Sequence, residues 1–202
     1  AVKQRVSPAE LRRAIGGWAW FSATAGGLGH MWPASGTWGS LPPVLLFGGL
    51  AWWGAAVWAH VLAQLALCVA SSAGCLRHGG KVEAALGRKD PGAVVIDEVA
   101  GMALTLALTL LGVVALEGMR ASAGAPAALG RVPPASLGLA LAMGSFVWFR
   151  VMDVIKPPPA RGLQRLSGGM GVLVDDLVVA PYAAVATLVS LEFMVRMGPV
   201  GA

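Results

Sequence analysis

The chain has 202 residues, of which 56% are hydrophobic and only 12% charged, and its mean hydropathy is +0.71. These values exclude an ordinary soluble domain and place the chain in a bilayer as one helical membrane unit. Its net charge of +5 comes from 15 Lys and Arg residues against 10 Asp and Glu. These cations lie beside apolar runs without interleaved aromatics, so anionic lipid headgroups rather than nucleic acid are the expected partner.

The first segment predicts a short helix lying in the membrane interface, with Ser7 as N-cap, Pro8 at its first position and Glu10 completing a capping box. A signal peptide cleaved near Ala23-Thr24-Ala25 is the alternative, but Gly16 and Gly17 break the apolar region it would need. Residues 1–24 are therefore taken as an interfacial N-terminal helix and residues 25–200 as a catalytic helical core.

Ala25 to Pro43 is rich in Gly, Ser, Thr and Pro and reads as a loop. Gly36 to Ser40 within it could cradle an anion, since glycines allow close backbone approach and Thr37 and Ser40 add hydroxyls. The apolar stretch Val44 to Ala73 is longer than one span requires and is interrupted by Gly48, Gly49 and Gly54, which predicts two helices near 42–51 and 53–74. His60 reads as a core residue. Cys68 and Cys75, seven apart in one apolar run, would stand about 10 Å apart at helical rise, too distant for a disulfide. Residues 75–92, with Arg77, His78, Lys81, Arg88 and Lys89, read as a polar loop.

The next span opens on Asp97 and Glu98, and two adjacent acids at a membrane helix need a counter-ion. Gly101 keeps that helix thin enough for a neighbour to approach. Another span covers residues 135–152. Beyond it, Arg150, Asp153 and Lys156 recur at intervals of three and share a helix face, which Pro157 to Pro159 terminate. Gly168, Gly169 and Gly171 then lead, as a turn, to Asp175 and Asp176 and a final span ending near Arg196. The expected fold is all-α: a polytopic membrane protein of about five membrane-embedded helices.

With a cytoplasmic N-terminus, the segments 1–13, 75–92 and 150–171 lie inside, as the positive-inside rule favours. The five carboxylates and the Gly36 to Ser40 segment then converge on one membrane face. Five carboxylates suit a hard cation such as Mg2+, and nearby Arg150, Lys156 and Arg161 suit a phosphate. Metal-assisted hydrolysis of a membrane phosphomonoester follows. The alternative is a cation or proton transporter, which would need polar stations deeper in the bilayer.

Three motifs in order, SGTWGSL at 35–41, DPGAVVIDEVAGM at 90–102, and FRVMDVIKPPPAR with GGMGVLVDD across 149–176, resemble the phosphatidylglycerophosphatase A family. The resemblance implies a Mg2+-dependent phosphatase that converts phosphatidylglycerophosphate to phosphatidylglycerol in a bacterial cytoplasmic membrane. By position it implies a site containing Gly36, Thr37, Gly39, Ser40, Asp97, Glu98, Arg150, Asp153, Lys156, Pro157, Gly168, Gly169, Asp175 and Asp176. Charge and placement assign the metal to Asp97, Glu98, Asp153 and one or both of Asp175 and Asp176, a remaining carboxylate to the role of general base, and the phosphate to Thr37, Ser40, Arg150 and Lys156. Ser35 stands where the family usually has proline, and Gln164 stands near the place of a common acid.

Overall fold

The computed structural model describes residues 7–87, 91–125, 134–163 and 168–197. Lys3, Arg5, Arg88, Lys89, Arg131, Gln164 and Arg165 lie outside them. Among the described residues the regular structure is entirely helical. Four helices are long and apolar enough to cross a membrane: α5 (Val57–Leu86), α6 (Ile96–Ser122), α7 (Pro134–Ile155, apolar from Ser136) and α9 (Gly169–Met197).

α6 and α9 form the centre. Their most apolar stretches are 56% and 50% buried, against 28% for α5 and 22% for α7, which flank them and present Val69, Leu76, Leu139 and Val147 outward. Without water to drive association, the bundle relies on small residues that let backbones approach. A β-carbon on Gly101 would stand 2.8 Å from the Phe149 ring and 3.0 Å from Asp176 Cβ, and one on Gly112 would collide with Leu188. The buried hydroxyls at membrane depth donate mainly to carbonyls of their own helices: Thr105 to Gly101, Thr109 to Thr105, Thr187 to Ala183. Ser145 instead reaches across to the Thr109 hydroxyl at 3.2 Å.

α4 (Leu41–Trp52) and α5 form the expected hairpin. The Gln64 side chain donates to the Pro43 carbonyl at 2.9 Å, and His60 packs on Phe47 with ring centres 4.8 Å apart, as an interior histidine. With 12 residues α4 extends only about 18 Å, less than a span. Among the described residues, four helices are thus long enough to span and α4 is a shorter one beside them.

α5 departs from expectation at its other end. Residues 75–86 continue the helix instead of forming a polar loop. Their charges misled because Arg77 and Lys81 occupy one face only, while Cys75, His78, Gly79 and Val82 recur at helical spacing on the buried face. That face meets the head of α9 at Cys75 and Gly79, and the helix also packs against α1 (Pro8–Ile15) and α2 (Gly17–Ala23). α1 has the expected capping box: Glu10 N donates to Ser7 Oγ at 3.2 Å and Ser7 N to Glu10 Oε2 at 2.9 Å.

Candidate active site

The segment expected as a glycine-rich loop is a turn of 3-10 helix (Leu28–His30) followed by α3 (Ser35–Gly39). Burial holds the His30 imidazole below its ordinary pKa, and its Nε2 accepts a hydrogen bond from Trp20 Nε1 at 3.1 Å. The N–H groups of Thr37 and Trp38 donate to Ala34 O and that of Ser40 to Gly36 O, so helix formation has already used them. The Ser40 hydroxyl, expected as a phosphate donor, is fully buried and donates to Gly36 O at 2.9 Å. The glycines have a different purpose. A β-carbon on Gly36 would collide with Glu98 Oε1 and stand 2.8 Å from the Arg150 guanidinium, and one on Gly39 would stand 2.7 Å from Val95. α3 thus backs onto the groups at the site and holds them in place. Thr37 is half-buried on the same short helix.

Asp97 and Glu98 occupy the first turn of α6. Arg150 and Asp153 come from the last turns of α7, with Arg150 Nη1 3.0 Å from Asp153 Oδ2. Lys156 follows directly, in the left-handed conformation at φ 49°, uncommon for a residue with a side chain. Its ammonium lies 2.5 Å from Asp175 Oδ2 and 3.6 Å from Asp153 Oδ1. Burial opposes the ammonium charge, but the hydrogen bond and the surrounding carboxylates outweigh it and hold the Lys156 pKa above its usual value. Arg161, expected to face an anion, lies on the short helix α8 (Ala160–Leu163) and instead donates to the Ile155 carbonyl at 2.9 Å, closing the end of α7.

Asp175 and Asp176 sit inside α9, not after a glycine loop. Gly168 has φ 66°, a conformation suited to glycine, and makes the turn. Gly169 already starts the helix, and a β-carbon there would collide with the Cys75 carbonyl. The double glycine therefore docks α9 on α5, and that contact sets the height of Asp175 and Asp176. Sequence reasoning missed the α5 half of the crossing, Cys75 and Gly79, because it placed them in or next to a loop. The small residues Gly74, Cys75, Gly79 and Gly80 on one helix were the available signal.

A polar pocket of about 310 Å³ results, lined by Asp97, Glu98, Asp153, Lys156, Asp175 and Asp176 with Val154 and Val172. Oxygens of Asp97, Glu98 and Asp176 all lie within 4.8 Å of one another. Asp97 Oδ1, Glu98 Oε2 and Asp176 Oδ2 are buried without a hydrogen-bond partner. Such orphaned carboxylate oxygens are costly unless a cation shares them, and an all-oxygen set is what a hard divalent ion selects. α3 adds no residue to the pocket wall; Arg150 stands behind Asp153 and Glu98, and Gly168 and Gly169 lie at the head of α9.

A profile of the family described as "PgpA: Phosphatidylglycerophosphatase A" matches residues 21–191. The chain belongs to that family. The phosphatidylglycerophosphatase A of Haemophilus influenzae is 29% identical over 164 residues, 79% of this chain and 80% of that protein. A Bacteroides thetaiotaomicron protein, provisionally named a phosphatidylinositol-3-phosphatase, is 31% identical over 48 residues, 24% of this chain and 30% of its own. No solved structure matches. Family membership makes the chain a lipid phosphatase with phosphatidylglycerophosphate phosphatase activity. The pocket supplies that phosphatase with a carboxylate cluster and cations at one end of four spans.

Proposed function

We propose that this phosphatase hydrolyses the terminal phosphomonoester of phosphatidylglycerophosphate with Mg2+ held by Asp97, Glu98 and Asp176, yielding phosphatidylglycerol for phospholipid biosynthesis. The observation that carries this reading is the triad of buried carboxylates whose orphaned oxygens converge within 4.8 Å beside a lysine. When bound, the ion supplies charge neutralisation at the phosphoryl oxygens.

The chain's own residues do the rest. Lys156 and Arg150, the cations nearest the pocket, orient the phosphate and offset its charge, with Thr37 on the helix behind them. Asp153 and Asp175 stand outside the triad, and both are tied to Lys156. One of them accepts the proton of the attacking water, whose oxygen bonds to phosphorus as the bond to the glycerol oxygen breaks, and the protonated carboxyl then returns that proton to the leaving glycerol oxygen. Gly36 and Gly39 keep α3 against Glu98 and Arg150 and so fix their side chains.

The site end of the bundle carries Arg12, Arg13, Arg77, Lys81, Arg150, Lys156 and Arg161, whereas Arg120 and Arg196 mark the other end. This asymmetry supports a cytoplasmic site in a bacterial inner membrane. The test is phosphate release from phosphatidylglycerophosphate by the purified protein in detergent. Release with Mg2+, loss in a chelator and recovery on adding Mg2+ back are expected; no release under any of these conditions overturns the proposal.

A further inference from the structure

Lys156 brings a cation to the pocket wall on a backbone that does not favour it. Its φ of 49° lies in the left-handed region, which costs free energy for a residue with a side chain and persists only where the surroundings over-determine it. The chain that follows offers little help, because Pro157, Pro158 and Pro159 have no N–H to donate. Only their carbonyls can be held. Ala160 N takes the Pro157 carbonyl and Gly162 N the Pro159 carbonyl, both at 2.9 Å, inside the turn itself.

The Pro158 carbonyl is held from outside: the Tyr182 hydroxyl, on α9, donates to it at 2.8 Å. Tyr182 lies seven residues beyond Asp175, so the two share a stripe of α9 about 10 Å apart along the axis. Asp175 Oδ2 takes the Lys156 ammonium at 2.5 Å. α9 therefore grips this segment at two points, an acid on the head of Lys156 and a phenol on the backbone two residues beyond it. On the other side, Lys156 N donates to Met152 O at 2.7 Å and Arg161 to Ile155 O. The backbone is thus fixed both before and after the left-handed residue.

We propose that Tyr182 is a positioning residue of the phosphatase: its hydroxyl fixes the turn after α7 and so holds the Lys156 ammonium where it meets the phosphate. This rests on the phosphatase reading of the site, and adds to it a residue outside the walls of the carboxylate pocket. A hydroxyl that only joined two helices would contribute stability alone. One that sets the place of an ammonium contributes affinity for phosphate, because charge-assisted hydrogen bonds to phosphoryl oxygens weaken steeply as distance and angle depart from their best values.

Tyr182→Phe removes the hydroxyl from a side chain that is 41% exposed and leaves the ring in place. The readouts are kcat and KM for phosphatidylglycerophosphate in mixed micelles, inhibition by inorganic phosphate, and backbone hydrogen exchange of the full chain in the same detergent, all with Mg2+. KM and the phosphate inhibition constant should both rise about fivefold, the scale of one hydrogen bond, with kcat held within about twofold. Exchange should quicken in residues 155–162 and not in α6. Ser190→Ala, which removes the Trp148 Nε1 to Ser190 Oγ hydrogen bond of 2.9 Å between the same two spans, should leave KM at its wild-type value. Higher KM without faster exchange would put Tyr182 on the substrate itself, and faster exchange without higher KM would leave the contact a purely structural one; either result overturns the proposal, as does no change in both. If wild type releases no phosphate, the phosphatase reading falls and exchange alone judges the role of Tyr182. Inorganic phosphate that protects residues 155–162 in wild type and not in Tyr182→Phe then upholds it, and an equal effect on both proteins overturns it.

Discussion

Two charged clusters occupy opposite ends of the same pair of helices, and they are built on opposite rules. At the far end, Arg120 on α6 bonds Glu117 at 2.5 Å and also bonds Glu192 on α9, which accepts from Arg196 at 2.9 Å. Two acids meet two cations, each has a partner, and their side chains are open enough to water to remain charged without strain. At the near end, about 30 Å away along α6, five carboxylates, of which Asp97, Asp175 and Asp176 are almost wholly buried, stand beside Lys156 and Arg150. Asp97 Oδ1, Glu98 Oε2 and Asp176 Oδ2 have no hydrogen-bond partner. A charge cluster that balances itself joins helices; one that leaves an excess of a single sign buried is held for something that arrives later.

The largest effect expected from this contrast is on catalysis. Asp97→Asn or Asp176→Asn should lower phosphate release about 10³-fold, the scale of removing a preorganised electrostatic group. Without metal, the same variants should unfold at a higher temperature than wild type, because a buried unpaired charge has been removed. Paired activity and thermal-melt measurements check both; a variant that loses activity and stability together would break the comparison.

Next in size is the response to the cation. Saturating Mg2+ at about 100 times its dissociation constant should stabilise wild type by about 2.7 kcal/mol, and Asp97→Asn should lose most of that gain. Thermal melts in chelator and in Mg2+ read this directly, and an equal gain in both proteins would remove Asp97 from the ion's ligands.

Packing under the near cluster comes third. Gly101→Val places side-chain atoms into the Phe149 ring and against Asp176, and should destabilise the protein by about 1–3 kcal/mol. The smallest effect belongs to the far cluster. Arg120→Ala should cost at most about 1 kcal/mol, since partly solvated ion pairs contribute little, and phosphatase activity should stay within twofold. A large activity loss in Arg120→Ala would mean that the two ends are not independent.

Much of the near cluster was legible in advance because charge in so apolar a chain is rare. Asp97, Glu98, Asp153, Lys156, Asp175 and Asp176 were singled out by type and flanking hydrophobicity, and the fold brings all six to one pocket. The capping box at Ser7 and the α4–α5 hairpin followed from local rules that tertiary contacts do not override. The glycines were read less well. Gly36, Gly39 and Gly169 suggested flexible or anion-binding backbone, yet each stands in a helix where a neighbour comes too close for a β-carbon. A glycine that frees the backbone and one that makes room for another helix look the same in a sequence.

By itself, then, the sequence determined the bilayer as solvent, the helical class, the family and the identity of the charged residues, because these depend on composition, local spacing and motif. Only the tertiary structure decided that residues 75–86 are helix, that α9 docks on α5 through Gly169, and that Asp97, Glu98 and Asp176 rather than all five acids form the tight triad. The physical reason is that convergence depends on how closely three helices approach, and that distance is set by side chains missing from facing surfaces, which no single stretch of chain encodes.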